Sequence, residues 1–262
     1  MRKIFAKIYL LIKAINIDLI IIFKSIINIP KFFLNHYNWK KIDKDKWPLE
    51  IIPCLTDFNS EASNDIGEYF FQDLFVAKKI LEKCPKKHID IGSRIDGFVS
   101  HLACFREVEI FDIRKLNLKL KNIKFNQFDI TEKHHNFSNT TDSLSCLHTL
   151  EHIGLGRYGD KVDPDGWKIG LKNLSIFLKD SGLLWLSVPT GIQSVKFNSH
   201  RIFDPNTIVL EAKKYSLKLE EFYYYYPLSN EIIKSTDISV DFTKISKQRY
   251  CLGIYNFKKI NY

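Results

Sequence analysis

The sequence predicts an α/β fold built on an open, mostly parallel sheet. Three observations carry that expectation. From Lys86 onward, short apolar and aromatic runs alternate with longer segments of helical spacing. Four of the runs end in polar residues: Asp90-Ile91-Gly92, Asp112, Asp129, and the string from His148 to His152. Ligands of such sheets bind beyond the carboxyl ends of the strands, so the topology and the chemistry point to the same places.

The elements follow in order. Residues 88–91 read as a first strand and residues 97–105 as the helix after it. Residues 108–113, 124–128 and 143–147 read as strands two, three and four. Residues 164–178 form a helix with proline near its start. Residues 183–188 are a fifth strand closed by Pro189, residues 205–215 a helix, and residues 217–226 and 250–257 two final strands. The tyrosines at 223–226 fit a strand with alternate rings buried better than a platform for stacked bases.

Residues 1–35 are expected to form an amphipathic helical extension. Residues 36–85 are a connector followed by a helix packing on the domain, and residues 86–262 the α/β domain itself. Ile4, Phe5, Ile8, Leu11, Ile12, Ile15, Leu19, Ile22, Phe23 and Ile26 share one face of a helical wheel, with the charged residues off it. Pro30 should end that helix. Charge-free stretches of only five residues are short for a spanning helix, and no small-residue cleavage site follows.

The net charge is +9, and residues 1–50, with ten basic and four acidic side chains, hold most of it. A basic excess beside an apolar helix points to a membrane surface through residues 1–30. The expected location is cytoplasmic, peripheral at the inner face of a membrane. The folded domain lacks a basic stripe, so no nucleic-acid partner is expected. Five widely spaced cysteines fit reduced thiols rather than a disulfide framework.

The first strand runs into Asp90-Ile91-Gly92-Ser93-Arg94-Ile95-Asp96-Gly97-Phe98. Gly92 lets a ligand approach the backbone, and Asp112 has the spacing of a carboxylate that holds ribose hydroxyls. Arg94 stands where a second glycine would complete G-x-G-x-x-G, which argues against a pyrophosphate cofactor such as NAD. His148-Thr149-Leu150-Glu151-His152 spells the inverted zinc-protease motif. Gly154 and Gly156 follow at once and disfavour a continued helix, so no metal site is expected. The two imidazoles should diverge, His152 toward a pocket and His148 toward the strand. The carboxylates Asp160, Asp163 and Asp165 read as turn formers.

The order of these motifs resembles class I S-adenosylmethionine-dependent methyltransferases, with Asp180-Ser181-Gly182 standing where members carry a glycine-rich turn. The sequence is closer still to a methyltransferase-like family, domain-of-unknown-function family 268. The strings concerned are Tyr69-Phe70-Phe71-Gln72-Asp73-Leu74, Asp90 to Phe98, Glu151 to Asp160, Asp163-Pro164-Asp165-Gly166 and Phe197 to Pro205, over roughly residues 65–258.

The resemblance implies a Rossmann-like class I methyltransferase sheet with helices on both faces, to which the N-terminal helical extension is added. It implies S-adenosylmethionine as cofactor and a small-molecule or glycan acceptor. It would place Asp90, Gly92 and Ser93 at the methionine part, Asp112 and Ile113 at the ribose, and Asp129 and Ile130 by the adenine. His152 is the expected base, with Glu151 beside it and His200 as second choice, because an alcohol acceptor benefits from a base near neutrality. A second expectation is a non-catalytic scaffold or regulatory module on the same fold, which Arg94 favours. The retained Asp90, Asp112, Asp129, Glu151 and His152 favour the enzyme.

Overall fold

The computed structural model describes residues 9, 12–14, 16–42, 44, 48–59, 66–132 and 137–260. The chain divides into two units, residues 1–66 and residues 67–262.

In the first unit, helix α1 covers Leu19–Ile42. Asp18 starts it, its carboxylate accepting from the backbone of Ile20 and Ile21 at 2.9 and 3.3 Å. Asn16, with a φ of 62°, separates α1 from the helical residues 12–14. The single helix expected from residue 4 to 29 is therefore broken near Asn16. It also does not end at Pro30, which lies inside α1 and removes one N–H from the ladder without stopping it. No residue of α1 is buried. By length and composition it is long and apolar enough to cross a bilayer. Ile4, Phe5, Ile8, Leu11 and Ile15 of the expected apolar face lie outside the described residues.

The second unit is an eight-stranded sheet with helices on both faces. Its strands are β1 (His88–Ile91), β2 (Val108–Asp112), β3 (Ile123–Gln127), β4 (Thr141–Leu147), β5 (Leu178–Thr190), β8 (Leu217–Tyr226), β9 (Glu231–Lys234) and β10 (Cys251–Lys259). Their order is β3-β2-β1-β4-β5-β10-β8-β9. The first five are mutually parallel, and β10 runs antiparallel between β5 and β8. The order reverses at β1, which pairs with β2 on one side and β4 on the other. Such a switch point opens a crevice at the carboxyl ends of the two strands, and the site is found there.

Alternating side chains load the two faces differently. Helix α2 (Glu68–Lys83) brings Val76, Ala77 and Ile80 against Ile110, Trp185, Tyr223 and Ile254. The same cluster takes Phe98, Val99 and Leu102 from the helical turn Ile95–Val99 and helix α3 (Ser100–Ala103). Helices α4 (Gly166–Phe177), α5 (Pro205–Lys213) and α6 (Ile238–Ile245) cover the other face, with Leu171, Phe177, Ile208 and Phe242 against Phe111, Leu184, Phe222 and Tyr255. Tyr223 and Tyr225 are buried toward α2, while Phe222 and Tyr224 stack on the opposite side. The tyrosine run is thus an alternating strand.

Three elements depart from expectation. The hairpin β6 (Ser194–Lys196) and β7 (His200–Ile202), the edge strand β9 and helix α6 are not among the elements expected from the sequence. Each is short, so its sequence has no room for a long apolar alternation. Strand β5 starts at Leu178, directly after α4, and Asp180-Ser181-Gly182 forms an irregularity inside it. The expected start at residue 183 mistook that irregularity for a turn.

Strands β1 and β4 are also joined through buried side chains. His88 Nε2 lies 3.0 Å from Ser145 Oγ, and His88 Nδ1 lies 2.8 Å from Ser143 Oγ. Ser145 donates its single proton to Asp90 Oδ1 at 2.6 Å. It must therefore accept from His88 Nε2–H, which leaves His88 Nδ1 to accept from Ser143. Burial drives the His88 imidazole down to about 3, so it stays neutral. An unfolded His88 takes up a proton below about pH 6.5 that the folded ring refuses, so folding loses stability as pH falls. The difference in stability between the wild type and His88→Gln should shrink by up to about 1.4 kcal/mol per pH unit below pH ~6.5, read by urea unfolding at successive pH values. A pH-independent difference would mean that the folded ring is not desolvated.

Candidate active site

The turn after β1 is built around a buried carboxyl. Asp90 Oδ1 accepts from Ser93 Oγ and Ser145 Oγ, both at 2.6 Å, and Oδ2 accepts from Ser93 N at 3.0 Å. Ser93 Oγ in turn accepts from Leu147 N at 3.1 Å. Burial raises the Asp90 carboxyl to about 6, and these donors work against that rise. Asp90 faces neither cavity described below. The residue expected at the methionine part of a cofactor thus turns its side chain inward, where it ties the turn to β4.

Gly92 follows with a φ of 71°, and a Cβ there would lie 2.5 Å from Thr149 Cγ2. The turn therefore packs directly on the segment after β4. That segment is a short 3-10 turn, Leu150–His152, followed by a loop wrapped around Asp160. Asp160 Oδ2 accepts from Gly154 N and Gly156 N at 2.7 and 3.2 Å, and Oδ1 from Tyr158 N at 3.2 Å. Gly154, with a φ of 77°, has no room for a Cβ against Asp163 O. Buried Arg201 braces the same loop, its Nη1 donating to Ile153 O at 2.6 Å and its Nη2 to Pro164 O at 3.3 Å.

Two cavities flank the Gly92–Thr149 contact. The first is an apolar slot between the ends of β1, β2 and β3. Ile91, Phe111, Phe128, Ile130 and Ile153 line its depth, and Asp112, Ile113 and Asp129 its mouth. Asp112 pairs with Arg114 through two bonds, Nη2 to Oδ2 at 2.6 Å and Nε to Oδ1 at 2.9 Å. The Arg114 backbone N–H also donates to Oδ1, at 2.8 Å, so Oδ2 alone keeps a second lone pair. Arg114 also lies over the Tyr158 ring at 4.7 Å. Asp129 Oδ1 accepts from the Thr131 backbone and hydroxyl at 2.8 and 2.7 Å.

The second cavity is polar and adjoins the first through Gly92, Arg114, His148, His152 and Tyr158. Helix α2 supplies Tyr69, Gln72 and Asp73, and the β1 turn supplies Ser93 and Arg94. Glu151, Arg157, His200 and Tyr250 complete it. Tyr250 donates to Glu68 at its edge. Burial raises the Asp73 carboxyl and pushes the Tyr69 phenol up to about 12, so Tyr69 keeps its proton. Arg94 is exposed, paired with Asp96 at 2.9 Å, and does not enter the apolar slot.

The H-x-x-E-H string behaves differently from expectation. His148 sits at a φ of 49°, a left-handed backbone that few side chains adopt, and its N–H donates to Ser187 O at 3.0 Å. Its ring turns onto Glu151, with Nδ1 2.9 Å from Oε1. His152 Nε2 lies 3.6 Å from the same oxygen. The imidazoles converge on one carboxyl instead of diverging, and His148 faces the polar cavity rather than the strand. His152 Nδ1 meets Ser199 O at 2.7 Å, so it carries the proton there, and burial lowers its basicity. His200 is likewise lowered by burial.

Of the residues expected at a site, Gly92, Asp112, Ile113, Asp129 and Ile130 line the apolar slot, while Ser93, Glu151, His152 and His200 line the polar cavity. Sequence reasoning missed Gln72, Asp73, His148 and Arg157. The signal for the first two was available: adjacent polar residues interrupt the apolar spacing of α2, within a string already singled out.

A family model described as Caenorhabditis protein of unknown function, DUF268, matches residues 105–224. That span runs from β2 into β8 and leaves out Tyr69 to Leu74 and the β1 turn. No curated protein matches the sequence. The structure is similar to that of Burkholderia thailandensis 1,6-didemethyltoxoflavin-N1-methyltransferase with bound 1,6-didemethyltoxoflavin and S-adenosylhomocysteine. The TM-score is 0.51 at 13% identity, over 73% of this chain and 80% of that one. It is also similar to the N-methyltransferase NodS of Bradyrhizobium japonicum WM9 in complex with S-adenosylhomocysteine, at a TM-score of 0.50 and 13% identity, over 87% and 98% of the two chains.

The chain carries a class I methyltransferase fold. The [4+2]-cyclase SpnF is similar to the same degree, with a TM-score of 0.50 and 9% identity over 71% and 80% of the two chains. The methyltransferase fold therefore leaves the reaction to be argued from the site.

The Gly92–Thr149 contact yields a direct test. Gly92→Ala forces a Cβ against Thr149 at a left-handed position, and thermal or urea unfolding should show a loss of about 1–3 kcal/mol. Thr149→Ala in the same chain should recover part of that loss, since it removes the clash and leaves only the backbone strain. Full additivity of the two substitutions would show that the turn does not pack on Thr149.

Proposed function

We propose that the protein is an S-adenosylmethionine-dependent methyltransferase acting on a small-molecule acceptor. The observation that carries this reading is the pairing of an apolar slot with a polar cavity across one glycine contact, at the switch point of the sheet. Phe111, Phe128, Ile130 and Ile153 would take a purine ring, and Asp112 would accept one ribose hydroxyl at the free lone pair of Oδ2 and the second in place of the Arg114 side chain on Oδ1. Gly92 and Ser93 would face the methionine part, where the slot meets the polar cavity. Bound there, the cofactor would supply a methyl group on an electron-poor sulfur. The residues of the polar cavity would position the acceptor, and positioning supplies much of the rate in such transfers. Arg94, held by Asp96 outside the slot, leaves the nucleoside pocket open. The alternative of a non-catalytic module is less well supported, because a scaffold has no use for two adjoining ligand-shaped cavities.

The first unit adds a location. Exposed Ile20, Ile21, Phe23, Ile26 and Ile27 on α1, with Lys24, Lys31, Lys40 and Lys41, suit a helix lying on an anionic membrane surface. Lys24 and Lys31 fall within the apolar stretch and favour the surface over a span.

Calorimetry with S-adenosylhomocysteine tests the site. The full-length protein should bind it, and Asp112→Ala should weaken binding by roughly tenfold, the loss of a charged partner for two hydroxyls being about 1–3 kcal/mol. An affinity unchanged in Asp112→Ala would remove the ribose role, and absence of binding to the wild type would favour the non-catalytic module. The location is tested by flotation with anionic vesicles. Full-length protein should bind them, and binding should weaken as salt screens exposed charges within ~10 Å at 0.1 M. Protein that ignores the vesicles would leave α1 to pack on another protein.

A further inference from the structure

We infer that the polar cavity takes a polyhydroxylated acceptor, and that His148, oriented by Glu151, removes the proton from the hydroxyl to be methylated. This rests on the methyltransferase reading above and names the substrate class of that site. Four buried side-chain atoms without a hydrogen-bond partner belong to residues that line this cavity: Gln72 Oε1, His148 Nε2, Glu151 Oε2 and His200 Nε2. They are half of all such atoms among the described residues. Gln72 and Glu151 are each 1% exposed. Buried polar groups are almost always paired, so four unpaired atoms in one cavity mark the place of a polar ligand.

The ligand's chemistry follows from what those atoms lack. Gln72 Oε1 and Glu151 Oε2 can only accept, so the ligand must bring donors, and one hydroxyl carries one proton. Two or more hydroxyls are needed to satisfy both. An ammonium would also donate, but Arg157 lines the cavity, beside Arg94 and Arg114, whose charges Asp96 and Asp112 already pair. Arg157 has no carboxylate partner among the described residues, donating instead to Ser199 O at 3.0 Å. A neutral polyol meets the acceptors without opposing that charge.

The base follows from the tautomer. Glu151 Oε1 accepts at 2.9 Å from His148 Nδ1, which must therefore hold the ring proton. The Nε2 lone pair is then without a partner, on a ring that lines the cavity. Tyr69 packs edge-on against the ring at 4.5 Å and keeps it in place. His152, whose Nδ1 proton goes to Ser199 O, stands on the far side of the same Glu151 oxygen at 3.6 Å. Its Nε2, bare in that tautomer, offers the carboxyl no proton, so the orienting bond of Glu151 goes to His148 alone. In the step assigned here, the acceptor O–H bond breaks and its proton goes to His148 Nε2. The oxygen electron pair forms the new O–CH3 bond, while the S–CH3 pair stays on sulfur as a neutral thioether. Glu151 is a positioning residue.

Side-chain NMR of histidine- and glutamine-labelled full-length protein tests this, with and without S-adenosylhomocysteine. His148 should show a protonated Nδ1 and a bare Nε2. In Glu151→Met the proton should move to Nε2, while S-adenosylhomocysteine binding, measured alongside, should persist. Glycerol, as a minimal polyol, should shift the His148 and Gln72 signals, and propylamine should not. His148→Gln should abolish the glycerol shift at Gln72 and keep S-adenosylhomocysteine binding. A protonated Nε2 in the wild type, a tautomer indifferent to Glu151→Met, or signals that answer to propylamine and not to glycerol would overturn the inference. Silence toward glycerol would overturn it as well. Failure of the wild type to bind S-adenosylhomocysteine would instead defeat the reading beneath it, since the ligand-free tautomer and glycerol arms stand on their own.

Discussion

The site depends on one buried carboxyl. Asp90 gathers Ser93 from its own turn and Ser145 from the neighbouring strand, and Ser93 in turn receives the backbone of Leu147. The carboxyl ends of β1 and β4 are thereby fixed to each other at the point where the strand order reverses. With these ends fixed, Gly92 is pressed onto Thr149 and the crevice is divided into an apolar slot and a polar cavity. A carboxyl raised to about 6 by burial is an expensive tie. Its three donors offset that expense, and the neutral His88 behind Ser145 extends the same network away from the site.

The two cavities divide the chemistry. The slot offers rings and aliphatic surface with one carboxylate at its mouth, the environment of a nucleoside. The cavity offers lone pairs in excess of protons, with Gln72, Glu151 and His148 buried around them. They meet at Gly92, His148 and His152, so a group carried by one ligand can be presented to the other there. The loop closed around Asp160 and braced by Arg201 holds Glu151 and Tyr158 between the two, which accounts for its concentration of glycine and aspartate.

Much of this was legible in the sequence. A parallel sheet places polar residues at its strand ends, and Gly92, Asp112, Asp129 and Ile130 stand where that rule put them. Asp90 obeys the rule by position, but its side chain turns inward, because a residue on a strand flanked on both sides is buried whichever way it points. His148 was misread for a backbone reason. Its left-handed φ turns the ring onto Glu151, and no residue type in the string signals that conformation. Gln72 and Asp73 lie far ahead in sequence on α2 and reach the site only through tertiary packing. Pro30 was expected to end a helix that simply continues, since the carbonyl that loses its donor in an exposed helix is satisfied by solvent. The short elements β6, β7 and β9 carry too little apolar alternation to be seen.

The central claim is that this switch point holds an adenosyl cofactor with its sulfur turned toward an acceptor cavity. A crystal structure of the full-length protein with S-adenosylhomocysteine tests it most directly. The account predicts the purine among Phe111, Phe128 and Ile130, the ribose hydroxyls on Asp112, and the sulfur at Gly92 facing His148. An adenosyl group bound elsewhere, or one whose sulfur faces away from the cavity of Gln72, His148 and Glu151, would contradict it.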